Sequence, residues 1–134
     1  MTIPYGIDMY GKIDLETRIA GATPHQLISL LFSGAANAIS RAKIYFAKGD
    51  VARRGEMLSK AINIIDNGLR SSLNHEIAPE ISKDLERLYE YMSYKLLVSN
   101  IKQDPAILDE VAGLLMTLSQ TWQEIAPDMR HGYE

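Results

Sequence analysis

Four segments of this chain carry apolar residues at steps of three and four, the spacing that places side chains on one side of an α-helix. The pattern is longest in the last third of the chain, where six large apolar residues follow one another without a break: Leu108, Val111, Leu115, Leu118, Trp122 and Ile125. Each stripe has to be buried against another element. The sequence therefore predicts an all-α protein built as a bundle of four helices.

Local signals mark the predicted helix ends. Thr23-Pro24 combines a capping side chain with a proline at the first helical position, and Gly49-Asp50 closes one helix and opens the next. The predicted helices cover about 24–48, 51–73, 79–102 and 105–126. Because connections this short force neighbouring helices to run in opposite directions, we predict an antiparallel up-down-up-down four-helix bundle.

The chain of 134 residues has the size of one domain with its own core. We treat residues 1–134 as a single domain, with a mobile N-terminal cap at 1–16 and a loose tail at 127–134. The segment 1–16 holds two glycines and one proline among isolated apolar residues. A helix this short is marginal in water, so the segment needs the bundle or a partner to become ordered.

Composition excludes several classes of protein. The net charge is −3, from 14 basic and 17 acidic residues with both signs interspersed, which argues against a nucleic-acid binder. No apolar run approaches the roughly 18 residues of a membrane span, and the N-terminus lacks a signal-peptide pattern. The absence of cysteine rules out disulfides and thiolate metal sites. We therefore expect a cytosolic protein that does not insert into membranes.

The third predicted helix carries more apolar surface than a bundle core needs, which is about three positions in seven. Its predicted core stripe comprises five residues: Ile81, Leu85, Leu88, Met92 and Leu96. A second stripe with the same spacing lies beside it: Tyr91, Tyr94, Val98 and Ile101. This second stripe is a surplus that the core alone does not explain.

The second predicted helix also has apolar groups, Met57 and Ile64, on a face turned away from its core residues Leu58 and Ile65. Gly68 belongs to the same face. Glycine inside a helix costs about 1 kcal/mol relative to alanine, so we expect another group to approach Gly68 closely.

Three interpretations of this surplus stay open on the residues alone. The side chains are the edges of core faces, or they are covered by residues 1–16, or they line a groove between the second and third helices that accepts a partner's amphipathic helix. The last two are compatible, because a partner can displace a segment that shields the groove. Tyrosine suits such a groove, since it offers apolar area and a polar end.

No pattern of residues points to catalysis or to a cofactor. The three histidines, His25, His75 and His131, lie in separate parts of the chain without metal-ligand spacing, and there is no Glu-x-x-His, phosphate-binding loop or catalytic triad. Histidine phosphotransfer domains are four-helix bundles too, but their reactive histidine is exposed near mid-helix, whereas His25 follows Pro24 at a helix start. We therefore expect no enzyme, no metal and no cofactor.

Four segments, TPHQLISLLFSGA, SKAINIIDNGL, LYEYMSYKLLVSNI and DEVAGLLMTLSQTWQEI, occur in this order and resemble the FliS family of flagellar secretion chaperones. The resemblance extends from Gly6 to about Ile125. It implies a small antiparallel helical bundle that acts as a cytosolic type III export chaperone. Such a protein binds the C-terminal segment of flagellin, prevents its premature polymerisation and keeps it competent for export.

The resemblance also implies which residues take part. Gly6, Ile7 and Tyr10 match the family's G-I-x-x-Y stretch, so Ile7 and Tyr10 are the candidates for capping the groove and for binding. The candidates for lining the groove are Asn63, Ile64, Leu69 and Tyr91.

A structural protein is the alternative interpretation, in which the second stripe is the seam of a self-associating homodimer without chaperone activity. The residues also leave open a weak homodimer of the chaperone, and contacts with the flagellar export gate or other flagellar regulators.

Overall fold

The computed structural model describes residues 21–125, and this part of the chain contains four helices and no strand. Their bounds are α1 Pro24–Lys48, α2 Val51–Asn63 with its continuation, α3 Pro79–Lys102 and α4 Ala106–Glu124. The continuation of α2 is a π-helical segment, Ile64–Leu69, followed by a 3-10 turn, Arg70–Ser72. The prediction of an all-α four-helix bundle is confirmed. The predicted cap at 1–16 and tail at 127–134 lie outside the described residues.

Contacts between neighbouring helices show how the chain winds through the bundle. The helices pack in chain order around a common core, and α4 closes the ring against α1. In the contacting pairs, the residue number rises along one helix while it falls along its neighbour. The pairs are His25–Trp122 and Lys43–Asp109 between α1 and α4, and Arg54–Asn100 and Arg70–Glu86 between α2 and α3. These helices are therefore antiparallel.

The helix ends carry the expected caps and one that the sequence did not indicate. Thr23 and Gln26 form a reciprocal capping box at the start of α1, and Gly49 ends α1 in the left-handed conformation at φ 69°. Gln103 ends α3 in the same left-handed region, at φ 54°. A left-handed residue with a side chain is uncommon, so this tight turn into α4 is held by its surroundings.

The core confirms the stripe on α4 and all but one residue of the stripe on α3. Leu108, Val111 and Leu115 are fully buried, as predicted, whereas Ile81 is 62% exposed. Met92 and Leu96 of the predicted stripe are buried, and Leu85 and Leu88 pack against the core. Three further residues of α3 are buried as well: Ser82, Tyr89 and Ser99.

These serines are compatible with the core because their hydroxyls are hydrogen-bonded. Ser82 Oγ donates to the carbonyl of Asn74 at 3.0 Å, and Ser99 Oγ donates to the carbonyl of Asp104 at 2.8 Å. Both acceptors lie in the connections that flank α3, so each serine fastens one end of the helix.

The π-helical segment of α2 has a physical cause in the spacing of the buried residues. Ala61, Ile65, Leu69 and Leu73 are all buried and follow one another at steps of four. In an α-helix of 3.6 residues per turn, each such step would rotate the side chain by about 40° away from the core. The wider π-turn holds more residues per turn and keeps Leu69 facing inward.

Candidate partner-binding surface

The surplus apolar surface of α3 faces solvent. Tyr94, Leu97 and Ile101 are 62%, 49% and 69% exposed, and Val98 beside them is half-buried. The opposite side of the same two turns is formed by Met92, Leu96 and Ser99, which are fully buried. We call Tyr94, Leu97, Val98 and Ile101 the α3 face. It is an apolar surface that no described part of the chain covers.

Tyr91 lies at the edge of the α3 face, towards α4. Its hydroxyl donates a hydrogen bond of 2.6 Å to Glu110 Oε2, and Lys95 Nζ lies 5.8 Å from the centre of its ring. This hydrogen bond raises the pKa of the Tyr91 phenol, with smaller contributions from desolvation and from the negative charge of Glu110. The ring is 40% exposed and held in place, so it can form a fixed rim for a ligand.

The seam between α2 and α3 is polar, which differs from the predicted apolar groove. Three links cross it: Arg54 Nε to Asn100 Oδ1 at 2.9 Å, Ser93 Oγ to Asp66 Oδ1 at 2.8 Å, and Arg70 Nη2 to Glu86 and Glu90 at 3.1 and 2.6 Å. These hydrogen bonds join α2 directly to α3, so polar groups line the seam where an apolar groove was predicted. The apolar surface of α3 therefore lies on its outward side and not in this seam.

Ile64 and Gly68 of α2 face α1. A Cβ atom on Gly34 of α1 would lie 3.3 Å from Ile64 Cδ1, and a Cβ on Gly68 would lie 2.9 Å from Leu31 Cδ2. The close approach expected at Gly68 is thus made by a leucine of the same chain. Ile64 and Gly68 belong to the contact between α1 and α2, on the side of α2 turned away from α3.

The candidate residues from the sequence therefore do not form one site. Leu69 is fully buried and contributes to the core, because the π-turn points it inward. Asn63 is exposed on the polar outer side of α2, where it accepts a hydrogen bond from Asn67. Tyr91 alone adjoins the α3 face. Ile7 and Tyr10 lie outside the described residues.

Leu97 is the member of the α3 face that the sequence interpretation missed. It lies three residues after Tyr94 and four before Ile101, so the same periodicity could have found it. The structure separates it from its neighbour Leu96, which is fully buried, whereas Leu97 is half-exposed.

Neither a metal site nor a reactive histidine is found between residues 21 and 125. No group of three or more potential ligands could hold a metal ion in this part of the chain. His25 stacks on Trp122 with ring centres 5.0 Å apart, and its Nε2 lies 3.2 Å from the carbonyl of Trp122. His75 contacts Glu86. His25 thus links α1 to α4.

None of the helices between residues 21 and 125 combines the length and the apolar character needed to cross a bilayer.

Comparison with known proteins gives a consistent result. The sequence pattern of the family described as "Flagellar protein FliS" matches residues 6–129. The flagellar secretion chaperone FliS of Salmonella typhimurium is 45% identical over 122 residues, which cover 91% of this chain and 90% of the relative. The protein of the same name from Escherichia coli is 37% identical over 119 residues, covering 89% and 88%. The one from Bacillus subtilis is 35% identical over 109 residues, covering 81% and 80%.

Proposed function

The chain belongs to the FliS family of flagellar secretion chaperones, and from this premise we propose that it binds the C-terminal segment of flagellin in the cytosol, prevents its premature polymerisation and keeps it ready for export. The relatives are named as chaperones, so the activity sought is binding and not catalysis.

The observation that carries this proposal is the α3 face. Tyr94, Leu97 and Ile101 follow the spacing of one helical side and are about half to two-thirds exposed. An amphipathic helix recognises such a surface by laying its own apolar side along it. Contiguous apolar patches on a monomer usually mark an interaction site. We place the flagellin helix on this face, with Tyr91 at its rim.

Coupled folding explains how such a complex can be both specific and reversible. A flagellin segment that is unstructured when free becomes ordered only on the chaperone. Ordering of this kind typically consumes about 2–5 kcal/mol of the gross interaction energy. The segment is therefore shielded while it is bound but can still be released at the export apparatus.

Binding of flagellin tests the proposal directly. We expect this chain to form one-to-one complexes with full-length flagellin and with a peptide of its C-terminal segment, measured by calorimetry. Flagellin that lacks its last few dozen residues should not bind. Equal binding of the truncated flagellin would contradict the proposed location of the binding segment.

The same samples distinguish the alternative of a self-associating bundle. Sedimentation at several concentrations would then show a tight dimer that does not change when flagellin is added. A monomer or weak dimer that becomes a one-to-one complex supports the chaperone.

We further propose that residues 1–16 act as a cap that competes with flagellin, through Ile7 and Tyr10. This proposal rests on the family resemblance of these two residues. Replacing both by alanine should raise the apparent affinity for the flagellin peptide, because the affinity of a shielded surface is reduced by the fraction of time for which it is covered. Calorimetry measures both the affinity and the enthalpy. If neither changes in the double variant, the capping role is refuted.

A further inference from the structure

One end of the bundle contains a buried arginine that forms no salt bridge with any residue between 21 and 125. Arg54 is 7% exposed and lies where α1 and α3 end and α2 and α4 begin. Its Nε donates a hydrogen bond of 2.9 Å to Asn100 Oδ1, and its Cζ lies 4.5 Å from the centre of the Phe46 ring. Among residues 21–125, the two terminal nitrogens of this guanidinium have neither a hydrogen-bond acceptor nor a carboxylate within salt-bridge distance.

Three acidic residues at this end of the bundle, Asp50, Asp104 and Asp109, bind other groups. Asp50 accepts a hydrogen bond from the backbone of Arg53 at the start of α2, and Asp104 accepts one from the backbone of Ala106 at the start of α4. Asp109 forms an ion pair with Lys43. Arginine is rarely buried to this degree without a carboxylate partner, because burying its charge costs free energy. Stacking on Phe46 compensates only one face of the guanidinium.

Arg54 contributes to the wall of a surface pocket of about 410 Å³. The pocket is lined by four apolar residues, Phe46, Ala47, Val51 and Pro105, and by two cationic residues, Lys43 and Arg54. Gly49 and Gln103, the two left-handed residues of the flanking turns, complete its rim. The pocket is open to solvent and has room for one side chain or a small molecule.

We propose that this pocket binds a carboxylate carried on an apolar stem. The planar guanidinium presents its free nitrogens as a fork that matches the two oxygens of a carboxylate. Lys43 lines the same pocket and offsets the negative charge of its partner Asp109 there, and the apolar lining accepts the stem. The carboxylate is either that of a terminal residue of a polypeptide or that of a free short organic acid. The site lies beyond the α3 face and does not depend on flagellin binding.

A titration monitored by nuclear magnetic resonance tests the proposal on the intact chain. The probes are 4-methylpentanoate and its primary amide, which have the same stem and differ in charge. We expect saturable shifts of the Arg54 Nε–Hε signal and the Val51 amide with the acid, and at least tenfold weaker binding of the amide. Equal binding of acid and amide, or equally strong binding of sulfate, would overturn the proposal, because the carboxylate or the stem would then be irrelevant.

A second pair of probes distinguishes the two sources. N-acetylleucine imitates the last residue of a polypeptide, and N-acetylleucinamide is its uncharged counterpart. Tighter binding of N-acetylleucine than of 4-methylpentanoate supports a polypeptide terminus as the ligand. The reverse order supports a free organic acid.

Two variants separate binding from packing. Arg54→Met keeps an apolar stem over Phe46 but removes the charge, and it should abolish the shifts caused by the acid. Lys43→Gln changes an exposed residue and should weaken binding at least threefold, so it decides the matter if Arg54→Met does not fold. Lys60→Gln, an exposed lysine on the outer side of α2, is the matched control and should leave binding unchanged. Unaltered affinity in folded Arg54→Met or in Lys43→Gln would refute the site.

Discussion

The substitution Leu97→Glu is expected to weaken binding of the flagellin C-terminal segment by about 100-fold or more while leaving the bundle folded. Leu97 is half-exposed at the centre of the α3 face, so the free protein accommodates a glutamate in water. In the complex the carboxylate would be buried against an apolar helix without a partner. Truncating a central interface residue typically costs about 2–4 kcal/mol, and each 1.4 kcal/mol is tenfold in affinity.

A matched control is available on the same helix. Ile81 is 62% exposed but lies at the opposite end of α3, outside the α3 face. Ile81→Glu should therefore bind the flagellin peptide like the unaltered protein in calorimetry, and thermal unfolding should show both variants to be folded. If Leu97→Glu binds normally, or if Ile81→Glu is equally impaired, the flagellin helix does not lie on the α3 face.

Periodicity and capping signals were sufficient to predict the fold. The stripe on α4 is buried as expected, and the capping box at Thr23 and Gln26 starts α1 where the sequence indicated. On α3 four of the five predicted core residues are buried or pack against the core, and Ile81 is exposed. Ser82 and Ser99 were not recognised as core positions, since their burial depends on hydrogen bonds to Asn74 and Asp104. Such partners are determined by the tertiary structure and cannot be read from spacing.

The candidate surface, like the core, was predicted only in part, because spacing does not identify the neighbouring residues. Spacing identified Tyr94, Val98 and Ile101 as surplus, and these residues are outside the core. The same reasoning assigned Ile64 and Gly68 to a groove with α3, but both face α1. A helical periodicity shows which residues share a side of a helix. It does not show which neighbour covers that side, and in a four-helix ring each helix has two neighbours.

Truncating leucine to alanine is expected to affect mainly stability at position 69 and mainly binding at position 97. Leu69→Ala should lower the free energy of unfolding by about 2–5 kcal/mol, because Leu69 is fully buried and its loss leaves a cavity. Leu97→Ala deletes the same atoms from a half-exposed site and should change stability by about 0.5 kcal/mol or less. Urea denaturation followed by circular dichroism measures both, with a shift in midpoint at constant slope.

The binding data complete this comparison. Binding is measured without urea, at a temperature at which both variants are folded. Under these conditions Leu69→Ala should bind the flagellin peptide like the unaltered protein, since the Leu69 side chain is inside the bundle. Leu97→Ala should bind measurably more weakly. If Leu69→Ala proves harmless to stability but damaging to binding, then Leu69 is accessible in the complex and helix α2 must open to admit flagellin. That outcome would move the binding site from the outward face of α3 to the interior side of α2.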